Sequence, residues 1–140
     1  MSLKYRFEYI ADWRQAPMAY WVHIEQGDKH WLVADIFDPP PPRPISGKGY
    51  PVLCVEVRDV VLYFSSPAQL RVFVETLSMK PLPSTRRLSS LRGTGHGPNS
   101  HWLSRLPAWL KTAGFRAKTL PRIARLADGI AGEARSVGWL

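Results

Sequence analysis

Arginine and lysine are the side chains whose placement in this sequence points most directly to a chemistry. Residues 81–140 contain ten of them against two acids, whereas residues 1–80 contain nine bases and nine acids. The whole net charge of +8 therefore lies beyond residue 80. No acid occurs between residues 81 and 127, and the nine bases in that interval are Arg86, Arg87, Arg92, Arg105, Lys111, Arg116, Lys118, Arg122 and Arg125.

Guanidinium and ammonium groups neutralise phosphates and release their counterions. We therefore predict these nine side chains as nucleic-acid-binding residues, the alternative being a solvated basic surface without a partner. Three aromatic residues, Trp102, Trp109 and Phe115, lie in the same stretch and are able to stack on exposed bases if they are not buried. Their apolar spacing favours core packing instead.

The four histidines are the other candidates for chemistry. His23 and His30 flank a predicted hairpin turn, where they could face each other. His96 and His101 lie five residues apart, which is not a zinc-ligand spacing. A ribonuclease needs a base, a proton donor and a cation, and the chain has all three residue types. A structural role for each histidine is the more common outcome.

Other reaction types find no support in the sequence. There is no Gly-x-Ser-x-Gly motif, phosphate-binding loop or dinucleotide fingerprint. The single cysteine, Cys54, excludes an internal disulfide and a cysteine-based zinc site, and its apolar surroundings predict a core position. No catalytic residue, metal site or cofactor is predicted.

Alternating apolar and polar residues predict antiparallel strands in the first half of the chain. The predicted strands are residues 5–9, 20–24, 32–36, 52–57 and 60–64. Residues 26–29 are suited to a tight turn between the second and third strands. Residues 39–44 contain five prolines and are predicted as a stiff, exposed loop.

A helix start follows the last predicted strand. Ser66 is a good capping residue, Pro67 suits the first helical position, and Gln69 completes a Ser-x-x-Gln capping box. Pro81 marks the end of the helix. One apolar stripe at helical spacing consists of Leu70, Phe73, Val74 and Leu77.

The basic half is predicted to be helical in patches. Residues 84–99 are rich in glycine near their end and are predicted to be an irregular linker. An apolar set between residues 102 and 110 is interrupted at Pro107. Thr119 is predicted to cap a further helix, which Gly129 and Gly132 stop. A helix-turn-helix with its turn at Gly114 is an alternative outline.

The expected fold class is α+β: a mainly antiparallel sheet of about five strands with one packed helix, followed by a basic, partly helical C-terminal region. Residues 1–83 form the neutral scaffold and residues 84–140 the basic part, packed together as one domain. With 140 residues, of which 45% are hydrophobic, the chain suits one folded unit. No apolar run approaches the length of a membrane span, and we expect a cytoplasmic protein without membrane contact.

Two short segments carry a resemblance. Residues 97–107, Gly-Pro-Asn-Ser-His-Trp-Leu-Ser-Arg-Leu-Pro, and the helix entry Phe-Ser-Ser-Pro at residues 64–67 resemble segments of small uncharacterised proteins of proteobacterial plasmids and other mobile elements. The resemblance implies an origin on a mobile element and no particular mechanism.

The sequence predicts a non-enzymatic accessory protein that binds nucleic acid, DNA or RNA, through its basic region. One alternative is a protein-interaction module, such as an inhibitor of a host defence complex. Another is a small metal-independent ribonuclease. The oligomeric state is not indicated.

Overall fold

The computed structural model describes residues 3–92 and 101–140. Their strands are β1 (Lys4–Ile10), β2 (Ile24–Glu25), β3 (Phe37–Asp38), β4 (Tyr50–Val57) and β5 (Val60–Phe64). Their α-helices are α1 (Ala19–Val22), α2 (Pro67–Leu77), α3 (Thr85–Ser90), α4 (Ala113–Gly129) and α5 (Ala131–Val137). Short 3₁₀ turns occupy Trp13–Gln15, Trp102–Arg105 and Ala108–Lys111. The chain is α+β with antiparallel sheets, as predicted.

The larger sheet has three strands in the order β1-β4-β5. Phe7 pairs with Leu53, and Leu53 pairs with Phe64, so these side chains share one face of the sheet. That face is the floor of the main core. Cys54 points to the opposite face and is nevertheless fully buried, which confirms its core position. Its register partners on the flanking strands are Arg6 and Tyr63, and its thiol contacts Glu8.

Helix α2 follows the sequence prediction closely. The Ser66 hydroxyl accepts a hydrogen bond from the Gln69 amide (3.3 Å), and Pro67 is the first helical residue. The Gln69 side chain departs from a standard capping box, because its carbonyl accepts from the Ser65 amide (2.9 Å) instead of the Ser66 amide. Leu70, Phe73 and Leu77 are buried against the sheet, as expected.

The strands predicted at 20–24 and 32–36 are wrong. Residues 19–22 form α1, residues 31–33 form a turn, and only the two-residue strands β2 and β3 pair with each other. A second hydrophobic cluster explains the difference, since Trp13, Trp31 and Phe37 pack around the fully buried Ala19. Packing of these large rings has overridden the local preference for strands.

The C-terminal half is more helical than predicted. Residues 85–90 of the expected linker form α3, capped by Ser84, while residues 93–99 lie outside the described part of the chain. Helix α4 begins after Thr112, whose hydroxyl accepts from the Phe115 amide, so the predicted cap at Thr119 is wrong. Gly129 ends α4, but Gly132 lies inside α5.

Proline and glycine interrupt the helices of the C-terminal half less than the sequence predicts. Pro121 lies within α4 and does not interrupt it. Gly114 also lies within α4, so the helix-turn-helix outline with a turn at that glycine is wrong. Pro107 does separate two 3₁₀ turns, as predicted.

The two parts of the chain share one core. Trp102, Leu120 and Ile123 from the C-terminal half belong to the same cluster of buried residues as Leu53 and the other apolar side chains of the sheet. The indole N–H of Trp139 also donates to the carbonyl oxygen of Phe64 (2.9 Å). Because α4 packs on this core, its other face is fixed beside the start of β1 and the turn between β4 and β5.

Candidate anion-binding groove

A groove of about 870 Å³ lies where the start of β1, the β4–β5 turn and the segment from Trp109 to Arg122 meet. Four cationic side chains from three separate segments line it: Lys4, Arg58, Lys118 and Arg122. Trp109 and Phe115 also line the groove, as does one acid, Glu56. We refer to these seven residues as the basic groove.

Helix α4 supplies a row of positive charge along this groove. Lys118, Arg122 and Arg125 follow one another at intervals of four and three residues, so they lie on one face of the helix. These three residues are called the α4 stripe below. Arg122 and Arg125 also line an adjoining hollow of about 380 Å³ beside Leu3 and Tyr5. The stripe therefore extends the basic groove along β1.

Arg58 enters the groove from the tight turn between β4 and β5. Its backbone has a φ of 56°, a left-handed conformation that is uncommon for a residue other than glycine. Its guanidinium carbon lies 4.9 Å from the ring centre of Trp109 and 4.7 Å from that of Phe115. The two rings meet edge to face at 5.0 Å. Cation–π attraction holds the guanidinium over both rings.

The groove cations have no close carboxylate partner within the described residues. Ion pairs there engage other bases, namely Arg6, Arg14, Lys29, Arg71 and Arg92. Glu56 is opposite Lys4 in the strand register, but its close basic contact is Arg6 at 3.9 Å. With four bases and one acid, the groove lining carries a formal net charge of +3.

Two of the nine residues predicted to contact phosphate, Arg92 and Arg116, bind groups of the protein itself. Arg92 forms a two-pronged ion pair with Glu25, stacks 4.0 Å from the ring centre of Tyr20, and has a side chain that is only 7% exposed. The same pair lowers the pKa of the Glu25 carboxyl. Arg116 donates from Nη1 to the carbonyl oxygens of Leu77 (2.9 Å) and Met79 (3.0 Å) at the end of α2.

The other seven do not form one surface. Lys118, Arg122 and Arg125 are brought together as the α4 stripe. Arg86 and Arg87 are exposed on α3, Arg105 is exposed in a 3₁₀ turn, and Lys111 is half-buried. Sequence reasoning missed Lys4 and Arg58, which lie in the neutral half. No signal in the charge count pointed to them, because the fold alone brings them to α4.

His23 has the partners of a catalytic histidine but not the access. Its Nδ1 lies 2.9 Å from the carbonyl oxygen of Pro39, and its Nε2 lies 2.9 Å from Ser66 Oγ. Since a carbonyl only accepts, Nδ1 carries the proton and Nε2 accepts from the serine hydroxyl. Both side chains are buried, with exposed fractions of 0% and 4%, so no substrate reaches them.

The remaining histidines are dispersed. His30 is exposed and accepts from the Leu32 amide, so the idea that it faces His23 across a hairpin is wrong. His101 is buried and caps a 3₁₀ turn by accepting from the Leu103 amide (3.0 Å), and burial lowers its pKa to about 4. His96 lies outside the described residues.

Candidate metal ligands and the single thiol were considered in the sequence, and the described part of the chain shows where they lie. It contains no group of three or more His, Cys, Asp or Glu residues that could hold a metal ion. The Cys54 thiol is buried and donates to a Glu8 carboxylate oxygen at 3.3 Å. Burial raises the pKa of this thiol to about 12, so it is protonated and unreactive at neutral pH.

Comparison with known proteins adds no relative. No protein-family model matches the chain, and neither a curated protein nor a solved structure does. The resemblance of residues 97–107 to mobile-element proteins therefore stays a prediction. Across residues 3–92 and 101–140, no helix has the length and apolar character needed to cross a membrane.

Proposed function

We propose that this protein is a non-enzymatic nucleic-acid-binding accessory protein whose contact surface is the basic groove together with the α4 stripe. One observation carries the proposal: Lys4, Arg58, Lys118 and Arg122 converge from three segments without a close carboxylate partner. Bringing like charges together opposes folding, so the arrangement makes physical sense when an anion binds there. The phosphates of DNA or RNA are anions that such a group of cations binds.

The contact surface proposed here is smaller than the acid-free stretch and includes residues from the neutral half. Arg92 and Arg116 are excluded because their guanidinium groups hold Glu25 and the end of α2. Lys4 and Arg58 are included because they line the groove. Variants of these two residues separate the groove proposal from a general attraction between a basic tail and polyanions.

The test is a titration of a labelled oligonucleotide at several salt concentrations, read by fluorescence anisotropy. The logarithm of the association constant should fall linearly with the logarithm of salt, by about 0.7–0.9 for each phosphate contact. Reversing the α4 stripe with Lys118→Glu, Arg122→Glu and Arg125→Glu should weaken binding to every sequence and flatten this slope. Lys4→Gln with Arg58→Gln should act in the same direction.

A matched control separates the groove from net charge. Arg86→Glu, Arg87→Glu and Arg105→Glu change the net charge by the same amount, but these exposed residues lie outside the groove lining. The control should retain most of the affinity. Equal weakening by the two triple variants would mean that net charge alone drives binding, and the groove would then not be a site.

A second candidate function is protein interaction, and one observation favours it. Leu32, Val33 and Ile36 are 64–66% exposed in the loop between β2 and β3. Exposed apolar side chains in one loop are typical of a protein contact, such as an inhibitor makes with a host complex. Serine substitutions at all three should abolish co-purification of such a complex and leave nucleic-acid binding intact.

The ribonuclease alternative requires an accessible general base. His23 and His101 are buried, so a histidine acting as general base would have to be His30 or His96, with a glutamate base as the other choice. Incubation of labelled RNA with the protein in the presence of a metal chelator decides this alternative. Cleavage that His30→Ala abolishes would support it, and intact RNA would oppose it.

A further inference from the structure

Within the basic groove, Arg58 covers an aromatic surface. Its guanidinium lies over the rings of both Trp109 and Phe115, which are half-buried and line the groove. Arg58 itself is exposed. A guanidinium is planar, and because Arg58 is exposed and lines the groove, its plane is accessible to a ligand there.

An unpaired base can stack on such a guanidinium plane, whereas a paired base in a duplex cannot. Bases stack on aromatic rings and on arginine planes when they are splayed out of a helix. In a duplex the base faces are already occupied by their neighbours, and only their edges are accessible in the grooves. Duplex phosphates would therefore contact the cations of the groove without using the Arg58 plane.

The charges next to Arg58 fit a strand whose backbone runs along α4. Lys118 and Arg122 lie on one face of the helix and line the same groove as Arg58. Phosphates on either side of a stacked base would meet these two side chains. From this geometry we infer that the groove binds single-stranded nucleic acid, with one unpaired base stacked on Arg58 above Trp109 and Phe115. This inference rests on the proposed nucleic-acid-binding function.

The test compares two labelled single strands of equal length, one with normal bases and one in which every base is missing. Both carry the same phosphates, so their difference measures base stacking. The wild-type protein should bind the normal strand roughly tenfold more tightly than the abasic strand, as expected for one stacked base. It should also prefer the normal strand to the corresponding duplex.

Arg58→Lys is the informative variant, because it keeps the positive charge and removes the plane. It should lower the tenfold preference to roughly threefold, because the guanidinium plane is lost while Trp109 and Phe115 remain, and the affinity for the abasic strand should fall much less than that for the normal strand. Arg105→Lys is the matched control, because Arg105 is exposed and lies outside the groove lining, and it should keep the preference. Thermal denaturation of each variant checks that the fold is retained.

The outcomes separate this inference from the proposed function. Equal binding of normal and abasic strands by the wild-type protein would overturn base stacking and leave phosphate binding in place, as would tighter binding of the duplex. Failure to bind any of the three probes at low salt would overturn the proposed function itself. Loss of the preference in Arg105→Lys as well as in Arg58→Lys would also contradict a specific role for Arg58.

Discussion

Two groups of polar side chains among the described residues differ in their partners. Every side chain of the first group forms a hydrogen bond inside the fold, whereas the cations of the second group have no close carboxylate. In the buried polar cluster, which consists of His23, Ser65, Ser66 and Gln69, each side chain hydrogen-bonds to a neighbour or to the backbone. In the basic groove, the cations have no close carboxylate partner among the described residues.

The difference shows how to separate structural from functional polar residues here. A buried group without a partner costs free energy, so the partners in the buried cluster are explained by folding alone. Folding does not explain the groove, because clustering like charges is unfavourable without a counter-charge. Substitutions in the cluster should therefore change stability, and substitutions in the groove should change binding.

The largest effect on stability is expected for Ser66→Ala. Ser66 caps α2 and also donates to Nε2 of His23 in the core. Loss of a cap costs about 0.5–2 kcal/mol, and an unsatisfied buried acceptor costs about 1–3 kcal/mol more. We expect the free energy of unfolding to fall by roughly 1.5–5 kcal/mol in total, measured by urea denaturation.

Ser84→Ala is the matched control for this prediction. Ser84 caps α3 by accepting from the Arg87 amide, but it is exposed. Its loss should cost only about 1 kcal/mol, since no buried group is left unpaired. Equal costs for the two substitutions would contradict the role assigned to the His23 contact.

The sequence was most informative where a local pattern and the global fold agree. The capping residues of α2 and the β4–β5 hairpin are examples, because short-range hydrogen bonds and alternation determine both. The prediction from sequence was wrong at residues 20–36, where packing of the second hydrophobic cluster determines the backbone conformation. It was also wrong at Thr119, which is a buried residue within α4. Long-range packing of Trp13 and Trp31 has no signature in local spacing.

The candidate site was predicted in part for the same reason. The α4 stripe was contained in the acid-free stretch, since charge along a helix is a local property. Lys4 and Arg58 were missed because strand pairing and a turn bring them to α4 from distant positions. Arg92 and Arg116 were included because a count of charges does not reveal an internal partner such as Glu25.

Acid should weaken the fold through its buried histidines. Burial lowers the pKa of His23, and it lowers the pKa of His101 to about 4. In the unfolded chain both titrate near 6.5, so the unfolded state binds more protons below that pH. Stability should therefore fall as the pH decreases below about 6.5, by up to roughly 1.4 kcal/mol per pH unit from each histidine.

Urea denaturation between about pH 7 and pH 5 measures this effect before the carboxylates begin to titrate. His101→Asn keeps an acceptor for the Leu103 amide and removes the titrating ring, so it should flatten the profile and leave the contribution of His23. A stability that is the same at both ends of this range would contradict the burial of the two neutral histidines.

The smallest effect on stability is expected at Arg122, which has a different role from Arg116, the other arginine of α4 compared with it. Arg116 donates to the carbonyl oxygens of Leu77 and Met79, whereas Arg122 lines the groove and forms no ion pair with a described carboxylate. Arg116→Gln should therefore cost about 1–2 kcal/mol of unfolding free energy. Arg122→Gln should stay within about 0.5 kcal/mol of the wild type.

The two substitutions should affect oligonucleotide binding in the opposite order from stability. Arg122→Gln should reduce the salt slope of oligonucleotide binding by about 0.7–0.9, because one phosphate contact is lost. Arg116→Gln should leave the slope unchanged, since its guanidinium is already bonded to the end of α2. Denaturation and anisotropy on the same two variants measure both quantities. If Arg116→Gln lowers the slope and Arg122→Gln does not, the phosphate contacts lie on the α2 side of the helix and the groove is not the binding surface.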